Sequence, residues 1–176
     1  MGDPATTSYP FAARYAYNAN GTVSEAEFYS AGTPAAAKRV RYAFPRYDAL
    51  NRLKSADLST WNGSSWAATL AHDLASIGYD AAGNLTTLQR YRETGTLVDN
   101  LTYSYTAGTN RLASVSDAVG VTAESWDAES GSFSYDANGN LLTAPAPYAL
   151  TAVTYDERNL PLTVTRAGVT TSYRYD

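Results

Sequence analysis

The sequence has no cysteine, one histidine and one methionine, and only 17% of its 176 residues are charged. Without cysteine the chain has no disulfide framework, no thiolate nucleophile and no sulfur-ligated metal. A single histidine, His72, also excludes a metal site built from several histidines. We therefore expect no cofactor.

Long apolar runs and a basic surplus are missing as well. The longest apolar stretches fall far short of the ~20 residues that span a bilayer, and the N-terminus lacks a basic stretch followed by an apolar one. The formal net charge is -4, whereas nucleic-acid-binding domains usually carry a clustered basic surplus. We expect neither membrane insertion nor a nucleic-acid partner.

Tyrosine, in contrast, is abundant: the chain has 15 Tyr and 4 Phe, and a Tyr-Asp-x-x-Gly-Asn-Leu motif recurs at intervals of 20 to 32 residues. A fixed element with variable spacers indicates a repeat architecture, in which each unit packs on its neighbours. The Tyr, Asp and Gly positions of the motif are occupied by Tyr17, Gly21, Tyr47, Asp48, Asn51, Tyr79, Asp80, Gly83, Tyr105, Asn110, Tyr135, Asp136, Gly139, Tyr155, Asp156, Asn159, Tyr175 and Asp176.

Each copy of the motif predicts a β-hairpin. Apolar or aromatic residues alternate into the Tyr, as in Ile77 and Tyr79, which is typical of a strand with one buried face. The Asp begins a type I turn, in which its side chain accepts backbone N–H groups, and the turn closes a hairpin with a bulge. The Gly position holds only Gly or Asn, with Asn110 assigned after a one-residue insertion; both tolerate a left-handed backbone. We predict an all-β fold of tandem antiparallel hairpins, six complete and the first strand of a seventh.

One segment and one boundary depart from this pattern. The spacing of Trp66, Leu70, Leu74 and Ile77 predicts a short helix near 66–77, with an irregular strand as the alternative. We predict a single repeat domain over residues 15–176. Residues 1–14 are interpreted as a leader, a first strand or an expression remnant.

The tandem hairpins resemble the Rhs or YD-repeat family: bacterial Rhs polymorphic toxins, the BC component of insecticidal Tc toxins, and teneurins. The resemblance covers roughly Tyr15 to Asp176. It implies an open strip of hairpins that curves and spirals into a hollow shell, which encloses a C-terminal effector in the toxins and presents an adhesion surface in the teneurins. By this resemblance the chain is a non-enzymatic wall segment of a secreted or cell-surface bacterial shell, whose partners are the rest of the parent polypeptide and its effector.

The family's closing element, an Asp-Pro-x-x-Gly-Arg-Phe type sequence, has no counterpart, because Asp3-Pro4 is the only Asp-Pro pair. We therefore expect an excerpt of a longer protein, without a cleavage site or toxin. Six hairpins do not close a shell, so we expect two strand edges, which are covered by loops or a partner or remain open to edge-to-edge self-association.

Two short clusters resemble sites of chemistry. His72 and Asp73 suggest a base with its orienting acid, and Ser76 a nucleophile. Adjacent residues on one element do not face each other, so we expect a solvated pair and no enzymatic activity. Asp136-Ala-Asn-Gly-Asn140 spaces oxygen atoms like the start of a calcium loop, but Gly139 is fourth rather than sixth; turn chemistry accounts for every residue without a metal.

The basic cluster Lys38-Arg39-Val-Arg41, with Arg46 and Arg52 nearby, has two interpretations. Strand alternation places Arg39 and Arg41 on one face and Lys38 on the other. This face either contacts an anionic glycan or phosphate, or is a solvated strand surface balanced by acidic residues elsewhere. We favour the solvated surface.

The aromatic residues that recur at the strand ends before the turns form a stripe, and this stripe is the strongest candidate for a ligand-binding face. Aromatic residues in adjacent hairpins stabilise a sheet as cross-strand pairs, whereas exposed rings stack on sugars. Because the tyrosines repeat with the turn and not with one loop, we favour the structural role, with the hydroxyls as a polar lining of the shell. The alternative is a surface module that binds carbohydrate or a receptor through its long loops and the face formed by Tyr103, Tyr105, Phe133, Tyr135, Tyr173 and Tyr175.

Overall fold

The computed structural model describes residues 11–30, 39–69, 71–120, 130–146 and 148–176. Regular secondary structure in these residues consists of β-strands, and the hairpin pairings are antiparallel. The predicted all-β fold is therefore confirmed. Within the described ranges, no helix has the length and apolar character needed to cross a membrane.

The described residues form fifteen strands, and the chain divides into two compact units, residues 1–77 with 89–97 and residues 78–88 with 98–176. The earlier strands are β1 (Phe11–Tyr17), β2 (Val23–Ser30), β3 (Arg39–Tyr47), β4 (Leu53–Trp61), β5 (Trp66–Ala68), β6 (Leu74–Tyr79), β7 (Leu85–Tyr91) and β8 (Leu97–Tyr105). The later strands are β9 (Leu112–Asp117), β10 (Gly131–Ser132), β11 (Ser134–Tyr135), β12 (Leu141–Thr143), β13 (Leu150–Tyr155), β14 (Pro161–Arg166) and β15 (Val169–Ser172). Residues 11–14 thus belong to a strand.

In the first unit the strands are hydrogen-bonded in the order β1-β2-β3-β4-β6. One edge of β4 pairs with β3, and the other edge is shared by β5, opposite Ser59–Trp61, and by β6, opposite Ala56. The side chains of Ala26, Leu58 and Ile77 are buried.

The second unit contains β8, β9 and β10 as neighbours, the pair β11-β12, and the three-stranded sheet β13-β14-β15. Its most deeply buried apolar side chains are Val98 and Leu101, each 1% exposed. Tyr103 pairs with Val115 of β9, so strand alternation places Leu101 on the same face as Val115 and places Val98, three residues before Leu101, on the other face.

The motif tyrosines end strands, as predicted. Strands β1, β3, β6, β8, β11 and β13 end at Tyr17, Tyr47, Tyr79, Tyr105, Tyr135 and Tyr155. In the hairpins β1-β2, β3-β4, β8-β9, β11-β12 and β13-β14 the register shifts immediately before the Tyr. The predicted combination of tight turn and bulge is therefore present in these hairpins.

A left-handed backbone occurs at most of the predicted turn positions. The φ angle is 85° at Gly21, 59° at Asn51, 91° at Gly83, 92° at Gly139 and 61° at Asn159.

The prediction is wrong at Asn110, because in that turn Gly108 has the positive φ, 72°. In that turn Thr106 occupies the Asp position, and its backbone carbonyl accepts a hydrogen bond from the Thr109 N–H at 3.0 Å. This bond makes Gly108 the third residue of the turn, so the left-handed residue lies one position before the turn closes.

The predicted helix near 66–77 is also wrong. Trp66 begins strand β5 and lies directly opposite Trp61, with 5.5 Å between the ring centroids. His72 has a φ of 56°, which no α-helix accommodates, and the Ala71 N–H donates to the Thr69 hydroxyl. The apolar spacing that suggested a helix thus combines a cross-strand tryptophan pair with the separate strand β6; Leu70 lies outside the described residues.

Replacing Leu101 with Ala is expected to lower the free energy of unfolding by about 2–5 kcal/mol, because the side chain is almost fully buried and leaves a cavity. Leu162→Ala in the same unit is the matched control: Leu162 is 40% exposed, so its loss should cost about 1 kcal/mol or less. Denaturant unfolding of both variants measures the difference, and equal losses would contradict the described core.

Candidate functional site at the hairpin turns

The turn aspartates are fully engaged by their own turns. In Asp136, Oδ1 accepts the Asn140 N–H at 2.8 Å and Oδ2 accepts the Asn140 side-chain amide at 2.9 Å. Asp80 makes the same two bonds to Asn84, each 2.8 Å. Each carboxylate therefore closes its turn as an acceptor of hydrogen bonds, the role predicted for the motif Asp.

In the other two turn aspartates, the second carboxylate oxygen accepts a hydrogen bond from an arginine side chain. Asp48 accepts the N–H groups of Leu50 and Arg52 on Oδ1 and the Arg52 guanidinium on Oδ2, at 2.7 Å. Asp156 makes corresponding bonds to backbone N–H groups and to the Arg158 guanidinium.

These bonds favour the ionised aspartates. The side-chain amides of Asn84 and Asn140 are the main reason that the pKa values of Asp80 and Asp136 are lowered. For Asp48 the backbone N–H of Arg52 contributes most to the lowering of the pKa. Backbone donation has the leading effect for Asp156 too, whose pKa is likewise lowered.

A tyrosine hydroxyl links each of several turns to the hairpin before it. In every case the phenol oxygen donates to the backbone carbonyl of the first residue after the preceding turn. We call this bond the tyrosine latch. The latches are Tyr47 to Val23 at 2.6 Å, Tyr105 to Leu85 at 2.8 Å, Tyr155 to Leu141 at 2.7 Å and Tyr175 to Pro161 at 3.0 Å. The expectation that the hydroxyls form a polar lining is therefore wrong for these four residues, because their O–H groups bond within the protein.

At two of the latches, those of Tyr105 and Tyr155, the surroundings raise the pKa of the phenol and favour its protonated form. Burial raises the pKa of Tyr105, and the nearby Asp80 carboxylate raises it further. Burial and then the Asp136 charge act in the same direction on the pKa of Tyr155. A protonated phenol is the form that donates to a carbonyl, so the preceding turn's Asp reinforces the latch.

Asparagine amides join neighbouring turns side by side. We call the latches and these amide bonds together the turn seam. The amide bonds run from Asn20 to Asn51 at 2.9 Å, from Asn84 to Asn110 at 3.0 Å, and from Asn138 and Asn140 to Asn159 at 3.0 and 2.8 Å. This role of asparagine was not predicted, although Asn recurs three to five residues after the motif Tyr.

The residues considered for catalysis are not assembled as a triad. His72 is exposed, the Ser76 hydroxyl donates to Gln89, and Asp73 accepts the Leu58 N–H at 2.6 Å. Asp73 is only 6% exposed, so the expectation of a solvated pair is wrong for it. Burial raises the pKa of Asp73 despite the bond from Leu58. The carboxylate replaces a strand carbonyl at the point where the edge of β4 passes from β5 to β6.

The calcium-like segment Asp136–Asn140 is engaged as a turn, since both Asp136 oxygens accept bonds from Asn140. Across the described ranges, no three His, Cys, Asp or Glu side chains are close enough together to hold a metal ion. Pro147, at the twelfth position of that pattern, is outside the described residues.

The basic cluster packs against aromatic rings. Arg39 bonds to Glu27 at 2.8 Å, and its guanidinium lies 4.7 Å from the Trp61 ring centroid. Arg41 pairs with Glu25 at 3.3 Å and lies 4.6 Å from the Trp66 centroid.

Strand alternation places Arg39 and Arg41 on one face, as predicted, because both guanidinium groups lie over Trp66. For Arg39 and Arg41 the expected solvated surface is wrong, since carboxylates and aromatic rings cover their guanidinium groups. Arg46 is exposed, Arg52 bonds to Asp48, and Lys38 is outside the described residues.

The six residues of the candidate ligand face have different surroundings. Tyr103 and Phe133 line an apolar cavity of about 280 Å³, together with Leu112, Val115, Leu141, Ala144, Tyr148 and Leu150. Tyr105 and Tyr175 are latched, Tyr135 is half-buried, and Tyr173 is 44% exposed. The cavity, rather than a continuous stripe, is the place where these aromatic rings offer space to a ligand.

Neither a protein-family model nor a curated protein matches the sequence. The functional proposal therefore depends on the geometry of the turn seam.

The latch predicts a difference between two otherwise similar substitutions. Tyr155→Phe removes the donor to the Leu141 carbonyl and is expected to lower the free energy of unfolding by about 1 kcal/mol. Tyr17→Phe, at a tyrosine that is 64% exposed, should leave it almost unchanged. Denaturant titration of both variants tests this, and equal effects would mean that the hydroxyl bond contributes nothing.

The turn aspartates predict a loss of stability in acid. Because their folded-state pKa values are lowered, their contribution is present above the unfolded value of about 3.9 and is lost as the pH falls through the folded values. Asp136→Asn should therefore lose less stability than the parent protein between neutral pH and pH ~3. Urea midpoints across this interval provide the measurement, and Glu157→Gln, at an exposed turn residue, is the control that should follow the parent.

Proposed function

We propose that the chain is a non-enzymatic wall segment of an Rhs or YD-type shell that encloses a C-terminal effector. The tyrosine latch is the observation that carries this proposal. A wall made of hairpins needs each hairpin held at a fixed position relative to the one before it, and the four latches attach Tyr47, Tyr105, Tyr155 and Tyr175 to the exits of the turns that precede them.

The distribution of charged groups also supports a structural role. The turn carboxylates accept bonds from their own turns, and Arg39 and Arg41 pair with glutamates and cover tryptophan rings. Charged groups that are paired in this way stabilise the surface of the protein. A wall that surrounds a polypeptide benefits from such neutralised groups, because free charges would bind the enclosed chain.

The edge of the β13-β14-β15 sheet also supports the proposal, because it is able to pair with a further strand. Strand β15 pairs with β14 on one side, and all four of its residues are exposed. An exposed edge presents backbone N–H and C=O groups to a further strand. In the proposed shell that strand belongs to the parent polypeptide.

The proposal is tested with the longer protein encoded by the same gene. We expect further Tyr-Asp repeats beside this chain and protection of the downstream effector segment from added protease. The double variant Tyr105→Phe/Tyr155→Phe, which removes two latches, should expose that segment to cleavage, whereas Tyr173→Phe at an exposed tyrosine should not. A gene without further repeats, or an effector cleaved equally fast in every variant, would contradict the proposal.

A carbohydrate- or receptor-binding module is the second candidate, and the cavity beside Tyr103, Phe133 and Tyr148 favours it. Its aromatic lining suits the apolar face of a sugar ring. In the experiment above, a glycan array probed with the same protein separates the candidates. The binding module would be the better proposal if the protein binds a glycan, if Phe133→Ala abolishes that binding, and if the effector is not protected from protease.

A further inference from the structure

Three Asn-Gly pairs lie in exposed turns: Asn20-Gly21, Asn62-Gly63 and Asn138-Gly139. In such a pair the backbone nitrogen of glycine is able to attack the asparagine side-chain amide, because no Cβ obstructs its approach. The reaction depends on the surroundings of the amide oxygen, where negative charge develops, and on the availability of the attacking nitrogen. The three turns differ in both respects.

The amide oxygen of Asn62 is surrounded by hydrogen-bond donors. Its Oδ1 accepts the Ser64 N–H at 3.0 Å, the Ser64 hydroxyl at 3.1 Å and the Ser65 N–H at 2.9 Å. Donors arranged in this way stabilise the oxyanion that forms when an amide carbon is attacked. The turn thus resembles an oxyanion hole around its own side chain.

The attacking nitrogen is also available at this turn. Gly63 has a φ of 102°, and a Cβ placed on it would meet nothing within 4 Å. No acceptor for its N–H is present among the described residues. In the other two pairs the glycine N–H is engaged: Gly21 donates to Asn18 at 2.9 Å and Gly139 to Asp136 at 3.1 Å.

The remaining amides have fewer donors. Asn20 Oδ1 accepts two bonds, both from Thr22, at 3.2 and 2.8 Å. The Asn138 amide donates to Asn159 at 3.0 Å, and no donor to its Oδ1 occurs in the described part of the chain. The number of donors therefore decreases from Asn62 to Asn20 to Asn138.

We propose that Asn62 is a site of spontaneous deamidation, promoted by the donors of Ser64 and Ser65, and that it reacts fastest of the three. The Gly63 nitrogen forms a bond to Asn62 Cγ and loses its proton to water. Nδ2 takes up a proton from water, the Cγ–Nδ2 bond breaks, and the nitrogen leaves as ammonia, which gives a succinimide. Water then opens the ring at Cγ to aspartate, or at the main-chain carbonyl to isoaspartate.

The product changes the hairpin that presents the two tryptophans. Both products add a negative charge, and isoaspartate lengthens the backbone of the turn between Trp61 and Trp66. Because these rings pack with their centroids 5.5 Å apart, tryptophan fluorescence reports the modification independently of mass.

The test follows the full-length chain in mildly alkaline buffer and measures conversion at each Asn-Gly pair by peptide mapping and mass spectrometry. We expect Asn62 to convert several-fold faster than Asn138, with Asn20 between them. In denaturant the three rates should converge, because the structural differences are removed. Ser64→Ala should slow Asn62 several-fold and leave the other two sites unchanged, whereas Thr22→Val should slow Asn20 alone.

Two results would overturn the proposal. If Asn62 converts more slowly in the folded chain than in denaturant, its hydrogen bonds hold the amide away from Gly63 and protect it. Ser64→Ala removes the hydroxyl donor and keeps the N–H donors of Ser64 and Ser65. If this variant, with unchanged tryptophan fluorescence, converts Asn62 as fast as the parent protein does, the side-chain donation that the proposal requires has no effect on the rate.

Discussion

The bond from a tyrosine hydroxyl to a backbone carbonyl of the preceding hairpin is the contact on which the repeated structure depends. Among the residues that the structure describes, few apolar side chains are fully buried, Leu101 and Val98 being the largest, so apolar packing alone does little to distinguish one alignment of hairpins from the next. A directional bond to a particular carbonyl does make that distinction. Phenylalanine would fill the same space without specifying the alignment, which accounts for the preference for tyrosine at this position.

Carboxylates take the place of backbone acceptors in two environments, with opposite consequences for their pKa values. In the exposed turns, several N–H donors surround Asp80 and Asp136 and lower the pKa. At the corner of β4, burial outweighs the single bond from Leu58 and raises the pKa of Asp73. Acid therefore weakens the turns, whereas loss of the Asp73 proton with rising pH weakens the corner. Asp117, the last residue of β9, also replaces a backbone acceptor, since its Oδ1 accepts the N–H groups of Asn100 and Val119.

Local rules predicted the strand ends and most left-handed turn residues because both depend on a few consecutive residues. These rules gave wrong predictions where contacts with residues distant in the sequence determine the local structure. The spacing of Trp66 and Ile77 predicted a helix, but Trp66 pairs with Trp61 in a sheet. In the turn after Tyr105 the left-handed residue is Gly108 rather than the predicted Asn110. The latch was not predictable from the motif, because its acceptor is a main-chain carbonyl, which every residue carries and no side chain marks.

The tyrosine latch also makes the seam independent of the length of the connecting loops. The same bond joins residues 24 apart at Tyr47, 20 apart at Tyr105 and 14 apart at Tyr155. Both of its ends are defined by the turns, so residues inserted between hairpins extend a loop without moving the bond. Lengthening a surface loop costs little conformational entropy. Residues added to or removed from these connections therefore leave the alignment of the latched hairpins unchanged.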